Sequence, residues 1–415
     1  MNAKKKLFFS TLGNGSFALF QALNIFILAR LGGAEAVGIY SFCLAFINPV
    51  ILLTNIGLRN VVIANGFERY SFQDYKKTRT YLNAVAILMI LFYSAFSGEE
   101  LYLLGVIVFL AIAKVAESKS DLTYGFMQSF GLYGHFAFSL ATRSFLGFLA
   151  LASGLFFTNN LLFSSFLYAL IWGGCYLFID KYWLRSSVNQ IAASCLSQNG
   201  TGWSSVKAII LTSMPLGFVN MLISLSVSIP RLVLEDVVGL EELGVFASFF
   251  MLLQFGSLVV SSLGQVAVPQ LAKHSRDREW QGFLKVYLQS SFFAFLLGSA
   301  SFFFVSLFSE GISDLLFGSD YVVYKSLLVA IFLVAPFQYL NNISGYALVA
   351  AKKNKVLLAM HCFSVFNISL LSWILIGRYG LVGAAYGVLI NSATLSAVYL
   401  FSVSFVCLRL RSVSS

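Results

Sequence analysis

Four basic residues lie inside or at the edge of long apolar runs, where a charged side chain is costly. Placing Arg or Lys at the centre of a membrane helix costs about 2.5–3.5 kcal/mol, so such residues usually serve a function. They are Lys114, Arg143, Arg231 and Arg30. The planar guanidinium of Arg binds phosphate oxygens in pairs. Taken together, these residues predict a cationic cavity suited to an anionic, phosphate-bearing ligand.

Structural roles compete with ligand binding for each of these cations. Glu117 lies one helical turn from Lys114 and is a possible charge partner or ion-coupling residue. Lys114 could instead extend to the membrane interface. Arg30 at a helix end could bind the last carbonyl groups. Arg143 has no acidic residue close to it in sequence, and Arg231 follows Pro230 inside a predicted helix, about 7–8 Å from its outer end.

The sequence gives little support for metal binding, disulfide bonds or catalysis. The five Cys and three His residues form no pair with metal-ligand spacing, so neither a metal site nor a disulfide framework is expected. No nucleophile-elbow, phosphate-loop or zinc-protease motif is present. We therefore expect a transporter rather than an enzyme, without a cofactor. Its energy would come from an ion gradient such as H⁺ or Na⁺, from the substrate gradient or from a partner protein.

The elements that must position these residues are membrane helices. Of the 415 residues, 59% are hydrophobic and 11% are charged, and the mean hydropathy is +0.84. Soluble domains carry about 25% charged residues, whereas a span needs about 20 mostly apolar residues. We predict about twelve transmembrane helices, at residues 8–30, 37–57, 80–97, 101–119, 136–157, 161–180, 208–234, 243–270, 283–307, 323–348, 355–376 and 381–408.

The basic residues outside the spans predict the orientation. Most lie in the connections on the side of the N-terminus, and few lie on the other side. Cytoplasmic connections are enriched in Lys and Arg, so we predict that both termini are cytoplasmic. The basic segment at residues 1–6 runs into a retained first helix rather than a cleaved signal. The net charge of +10 then reflects topology, and no nucleic-acid partner is expected.

The chain is predicted to fold as two similar halves. The segment from Gly33 to Tyr40 resembles the segment from Gly239 to Phe246, and each one opens a predicted helix. Chance similarity between glycine-rich turns is the alternative. We predict an N-terminal six-helix bundle at 1–180, a cytoplasmic linker at 181–207 and a C-terminal six-helix bundle at 208–415. Parallel repeats of this kind are related by an axis along the membrane normal.

Several segments resemble the polysaccharide exporters of the multidrug/oligosaccharidyl-lipid/polysaccharide superfamily. They are Met214-Pro215-Leu216, residues 228–234, Gly239 to Ala247, residues 265–272, and Tyr379 to Gly387. With twelve predicted spans and short connections, the sequence is most similar to the bacterial O-antigen flippases of the Wzx type. The resemblance covers nearly the whole chain, and at Arg231 it rests on the motif itself.

Membership would imply an all-α membrane protein with a V-shaped central cavity and alternating access. The cargo would be an O-antigen repeat unit on undecaprenyl diphosphate, moved across the bacterial inner membrane for lipopolysaccharide synthesis. A polysaccharide polymerase and chain-length proteins would be partners beside membrane lipid. Two alternatives stay open: a multidrug and toxin extruder, which needs acidic residues in its bundles, and a membrane polysaccharide polymerase or ligase, which usually has a large outer loop.

Overall fold

Long helices form the described part of the chain. The computed structural model describes residues 3–65, 70–96, 98–183 and 202–414, and within them no strand is found. The first half contains these elements: α1 (Ala3–Asn55), α2 (Leu58–Asn65), α3 (Phe72–Phe96), α4 (Leu101–Ser129), α5 (Tyr133–Thr158), α6 (Leu161–Gly174) and a π-helical segment (Cys175–Asp180). The second half contains α7 (Trp203–Val238), α8 (Leu240–Arg276), α9 (Trp280–Phe317), a 3₁₀ segment (Ser319–Tyr324), α10 (Lys325–Phe332), α11 (Ala335–Ala350) and α12 (Asn354–Ser414).

Ten helices in the described ranges are long and apolar enough to cross a membrane. Large apolar side chains such as Leu88, Phe92 and Phe96 of α3 are exposed, as expected for a surface in hydrocarbon. This confirms the prediction of an all-α, multi-pass membrane protein.

Glycines interrupt the two longest helices. α1 and α12 contain 53 and 61 residues, too long for one crossing of a core about 30 Å thick. Gly33 in α1 and Gly380 in α12 have non-helical backbone angles, with φ of 74° and 55°. Two crossings in each of these helices would give the predicted twelve, and that number stays a prediction.

The repeated motif adopts one backbone conformation in both of its copies. Gly33 has φ 74° and ψ −176°, and Gly239 has φ 103° and ψ 180°. Both lie in a region that only glycine occupies readily. Gly318, which lies outside the motif, has similar angles (φ 109°, ψ 169°), so the conformation is not unique to the motif and the repeat stays a prediction.

Substituting Gly33 should therefore destabilise the fold through backbone strain alone. A Cβ atom at Gly33 would meet no atom within 4 Å, so crowding is not a factor. We expect Gly33→Ala to cost about 1–3 kcal/mol. Gly15→Ala is the control, because Gly15 also has open space but a helical backbone. Thermal unfolding of the purified variants measures the difference, and equal stability of the two would contradict the strain assigned to Gly33.

Contacts divide the chain into two units, residues 1–225 and 226–415, so the boundary falls within α7. In the first unit α1 packs on α5, and α4 and α5 pack on α6. In the second unit α11 packs on α8, α9 and α12. Most of the predicted linker, 184–201, lies outside the described residues. The predicted division into six-helix bundles stays a prediction.

Close helix packing positions α6 against α5. Asn159 ends α5 in a left-handed conformation, and the Asn160 side chain accepts hydrogen bonds from two backbone N–H groups of α6. A Cβ at Gly154 would lie 2.7 Å from the Ser164 Cα, and one at Gly147 would lie 2.6 Å from the Trp172 Nε1. These glycines let the two helices approach closely, which brings Trp172 beside the part of α5 that carries Arg143.

Candidate functional site

Arg143 is buried in the first unit and paired with an acid. Its Nη2 donates to the Asp180 carboxylate and to the Ser120 hydroxyl, and both charged side chains are 0% exposed. The Ser139 hydroxyl donates to the second oxygen of Asp180 and lies 3.1 Å from the Tyr124 hydroxyl. In this conformation Arg143 is therefore a neutralised group inside the bundle. A direct contact between Arg143 and a ligand stays a prediction.

Two aromatic rings complete the surroundings of Arg143. Its guanidinium carbon lies 5.5 Å from the centre of the Tyr124 ring and 5.3 Å from that of Trp172. Such contacts stabilise a desolvated cation by about 2 kcal/mol. Nε and Nη1 of Arg143 and Nε1 of Trp172 are buried without a hydrogen-bond partner among the described residues. The pair is thus sealed from solvent but incompletely hydrogen-bonded.

Little in the sequence indicated that Asp180 would pair with Arg143. Asp180 was expected only as the last residue of the sixth span, and it lies 37 positions after Arg143. It ends the π-helical segment, which directly follows α6. The hydrogen bonds of a π-helix span one residue more than those of an α-helix, so the segment changes which side chains face the bundle. Sequence periodicity does not reveal that change.

Lys114 and Glu117 form a pair within α4. Lys114 Nζ lies 2.8 Å from Glu117 Oε2, and both side chains are partly buried. This is the charge partnership considered from the sequence, and it leaves little net charge at this position. A role for Glu117 in ion coupling and a role for Lys114 in ligand binding stay predictions.

Arg231 in α7 differs from these two cations. No carboxylate lies within ion-pair distance of it among the described residues, and its Nε is buried without a hydrogen-bond partner. Its guanidinium carbon lies 5.8 Å from the Phe250 ring centre. A buried guanidinium with unused donors is costly unless a ligand or water completes its bonding. Arg30, by contrast, is exposed near the Gly33 turn, and its ligand role stays a prediction.

A further charged group in the first unit was not recognised from the sequence. Arg59 of α2 lies 3.1 Å from Asp121 of α4 and also donates to Gln128. Arg79 of α3 lies 3.7 Å from the other oxygen of Asp121. We refer to Arg59, Arg79, Asp121 and Gln128 as the α2–α4 cluster. Both arginines fall between the predicted spans 37–57 and 80–97, in a connection predicted to be cytoplasmic, and both lie in helices.

Amide side chains in the second unit connect helices. Asn341 of α11 donates to the Ser392 carbonyl of α12 at 2.9 Å and accepts from Ser396 at 2.8 Å. Within α12, Asn391 donates to Ser364 at 3.1 Å. These bonds match the helix-packing role that is the more frequent one for amides in membranes. No group of three metal-binding side chains occurs in the described part of the chain.

A family model named polysaccharide biosynthesis protein matches residues 3–275, well over half of the chain. The chain belongs to this family. A capsular polysaccharide biosynthesis protein, CapF, from Staphylococcus aureus is 25% identical over 395 residues, covering 94% of this chain and 96% of its own. The family match confirms the resemblance to polysaccharide proteins found in the sequence.

Solved structures of membrane transporters share the fold. The inward-facing conformation of a multidrug resistance MATE family transporter has a TM-score of 0.77 at 13% identity, covering 96% of each chain. The lipid II flippase MurJ in an inward closed conformation has a TM-score of 0.77 at 12% identity, covering 97% of this chain and 90% of its own. These likenesses confirm the fold class of this family member.

Proposed function

We propose that this protein is a flippase that moves undecaprenyl-diphosphate-linked oligosaccharide repeat units across the bacterial cytoplasmic membrane. The observation that carries the proposal is the polysaccharide biosynthesis family match over residues 3–275. The described residues also contain ten helices that are long and apolar enough to cross a membrane, as a protein that works within the bilayer requires. The solved lipid II flippase of similar fold shows that this architecture serves a lipid-linked cargo elsewhere.

The charge of the cargo favours the proposal. A diphosphate must leave water to pass through hydrocarbon, and an unpaired ion is very costly there. Cations in the protein interior lower that cost. Arg231 is the leading candidate of the four, because no carboxylate pairs with it among the described residues and its Nε is a buried unused donor. Arg143 and Lys114 would contact cargo only after leaving Asp180 and Glu117, and exposed Arg30 would act at the outer end of its helix.

Two candidates remain for the sugar chain attached to the lipid diphosphate. We propose an O-antigen repeat unit, in keeping with the resemblance in the sequence. A capsular repeat unit is the second candidate, favoured by the staphylococcal relative. Both cargoes share the lipid diphosphate, so the cationic residues would serve either one. Loss of lipopolysaccharide O-chains, as opposed to capsule, in a deletion strain separates the two.

The remaining parts of the proposal follow from topology. Both termini would be cytoplasmic, access would alternate between the two sides, and an H⁺ or Na⁺ gradient would supply the energy. A polysaccharide polymerase and chain-length proteins would receive the cargo on the outer side. The protein would itself form no bond in the product, in contrast to a polymerase or ligase.

Multidrug extrusion is the alternative, because several structural neighbours are multidrug transporters. Binding a cationic drug requires an available acid inside a bundle. In the described residues of the first unit, Glu117 and Asp180 are each held by a cation. Asp74, at the start of α3, is also buried, and one of its oxygens accepts from the Ser71 backbone and hydroxyl. We therefore expect no change in resistance to cationic drugs when the protein is deleted or overproduced.

Depletion of the protein tests the proposal in cells. We expect lipid-linked repeat units to accumulate in the cytoplasmic leaflet, since their synthesis continues while export stops. Leaflet-specific labelling of the sugar, with and without membrane permeabilisation, measures this accumulation. Normal export of the polysaccharide after complete depletion, with no related gene present, would contradict the proposal.

A further inference from the structure

The α2–α4 cluster carries one more positive charge than its own acid can neutralise. Asp121 is the only carboxylate paired with Arg59 and Arg79 among the described residues. Arg59 uses Nη1 for Asp121 and uses Nε and Nη2 for the neutral Gln128 amide. Two guanidinium groups and one carboxylate leave a net charge of +1. A cluster of this composition attracts a further anion.

Arg79 also has unused hydrogen-bond donors. Its Nη1 is bound by the Asn55 carbonyl, the Asn55 side chain and the Ser118 hydroxyl. Its Nε and Nη2 are buried with no hydrogen-bond partner in the described structure, although the side chain is only 1% exposed. The 3.7 Å between Nη2 and Asp121 is an ion-pair distance, longer than a hydrogen bond. Arg79 is therefore held in place through Nη1, whereas its Nε and Nη2 still lack a hydrogen-bond acceptor.

The cluster is partly exposed on the side of Arg59 and Asp121. Their side chains are 23% and 32% exposed. The Arg59 guanidinium also lies 5.0 Å from the centre of the Phe136 ring of α5, which supports it from another helix. An anion could thus reach Arg59 first, whereas Arg79 lies behind it in the protein. The partly exposed Asp121 carboxylate is the group that such an anion would displace.

The position of the cluster along α4 matches the depth of lipid phosphates. Asp121 follows Leu101, the first residue of α4, by about 30 Å at roughly 1.5 Å per residue. That distance equals the thickness of a typical hydrocarbon core. The Lys and Arg distribution predicts that this end of α4 faces the cytoplasm. The cluster then lies where the head group of a lipid in the cytoplasmic leaflet would be.

We propose that the α2–α4 cluster is the loading site for the diphosphate of a lipid-linked cargo, and that Asp121 is its built-in competitor. Arg59 and Arg79 exchange the Asp121 carboxylate for phosphate oxygens, which guanidinium groups bind in pairs. Return of Asp121 to both arginines then promotes release. A transporter must release its cargo after translocation, so a competing carboxylate that weakens binding favours transport. This assignment rests on the proposed flippase function.

Binding measurements on the full-length protein in lipid nanodiscs test the assignment. The probes are undecaprenyl diphosphate, undecaprenol without phosphate, and inorganic pyrophosphate. We expect Asp121→Asn to bind undecaprenyl diphosphate at least about tenfold more tightly than the parent protein, because the competing charge is gone. We expect Arg59→Gln to bind it at least about tenfold more weakly. Lys76→Gln is the control, since it removes an exposed cation from α3 and should leave affinity unchanged.

Transport assays on the same variants complete the test. Asp121→Asn should move cargo more slowly in spite of its tighter binding, because release is impaired. Arg59→Lys keeps the charge but loses the paired geometry, so its affinity should fall between those of Arg59→Gln and the parent. Equal or weaker binding by a folded Asp121→Asn variant would overturn the competitor role.

The outcomes separate this inference from the proposed function. A parent protein that transports cargo, with an Asp121→Asn variant that binds no more tightly, refutes the inference alone. A parent protein that neither binds nor moves undecaprenyl diphosphate refutes the proposed function. Tighter binding of pyrophosphate by Asp121→Asn in that second case would support the anion site and exclude the lipid cargo. Equal binding of undecaprenol and undecaprenyl diphosphate would refute the diphosphate as the recognised group.

Discussion

Replacing Asp180 with Asn should cost about 3–5 kcal/mol of stability, because it leaves Arg143 as an unpaired cation in a sealed site. Both side chains of the pair are 0% exposed, and Arg143 has no other acid within ion-pair distance in the described structure. The rings of Tyr124 and Trp172 lie beside the guanidinium but do not neutralise it. Thermal unfolding of the detergent-purified variant should reveal this loss directly.

Two companion variants show whether the pair itself is responsible. Glu117→Gln also removes a carboxylate, but from a partly exposed pair within α4, and should cost at most about 1 kcal/mol. The double variant Arg143→Met with Asp180→Leu removes both charges and fills similar space. Apolar replacement of a whole buried pair is often close to neutral, so this protein should be more stable than Asp180→Asn. A double variant less stable than the single one would contradict the account.

Arg231→Ala should lower transport about tenfold or more without lowering stability. A hydrogen bond to a charged group contributes about 1.5–3 kcal/mol, which corresponds to roughly ten- to 150-fold in binding. In the protein without cargo, Arg231 has no acidic partner among the described residues and one buried unsatisfied donor. Its removal should therefore leave the unfolding temperature unchanged or raise it, as is common for residues kept for function.

Matched arginine variants provide the control for this prediction. Arg378→Ala removes an exposed arginine from the same unit and should leave both transport and stability unchanged. Arg231→Lys keeps the charge without the planar donor fork and should recover only part of the transport. A large loss of stability in Arg231→Ala, with transport falling in proportion to folded protein, would show that Arg231 is a structural residue.

Much of the fold is predictable because the bilayer imposes simple rules. Apolar runs of about 20 residues and the distribution of Lys and Arg are local properties, so they predicted an all-α membrane protein. Gly33 marked a turn between two such runs, and its backbone angles agree with that role. The beginning of α3 at Phe72 was missed, because its first turns carry charged residues such as Lys76. A helix that extends beyond the hydrocarbon has no apolar signal there.

The charge pairs were less predictable because they depend on packing between helices. Lys114 and Glu117 are three positions apart on one helix, and the helical repeat places them together. Asp180 reaches Arg143 across helices at the end of a π-helical segment, which periodicity does not reveal. Asp121 joins Arg59 and Arg79 from three different helices. Depth in a span identifies costly cations, but only the packed structure shows which of them are neutralised.

Reconstitution into liposomes tests the central claim most directly. Purified protein is inserted into vesicles that contain an undecaprenyl-diphosphate-linked oligosaccharide, and the sugar exposed on each leaflet is measured with a membrane-impermeant sugar-modifying enzyme. We predict that the parent protein equilibrates the lipid-linked sugar between leaflets much faster than empty vesicles do, and that Arg231→Ala is about tenfold slower or more. An identical rate in empty and protein-containing vesicles, with correctly inserted protein and an imposed H⁺ or Na⁺ gradient, would contradict the flippase function.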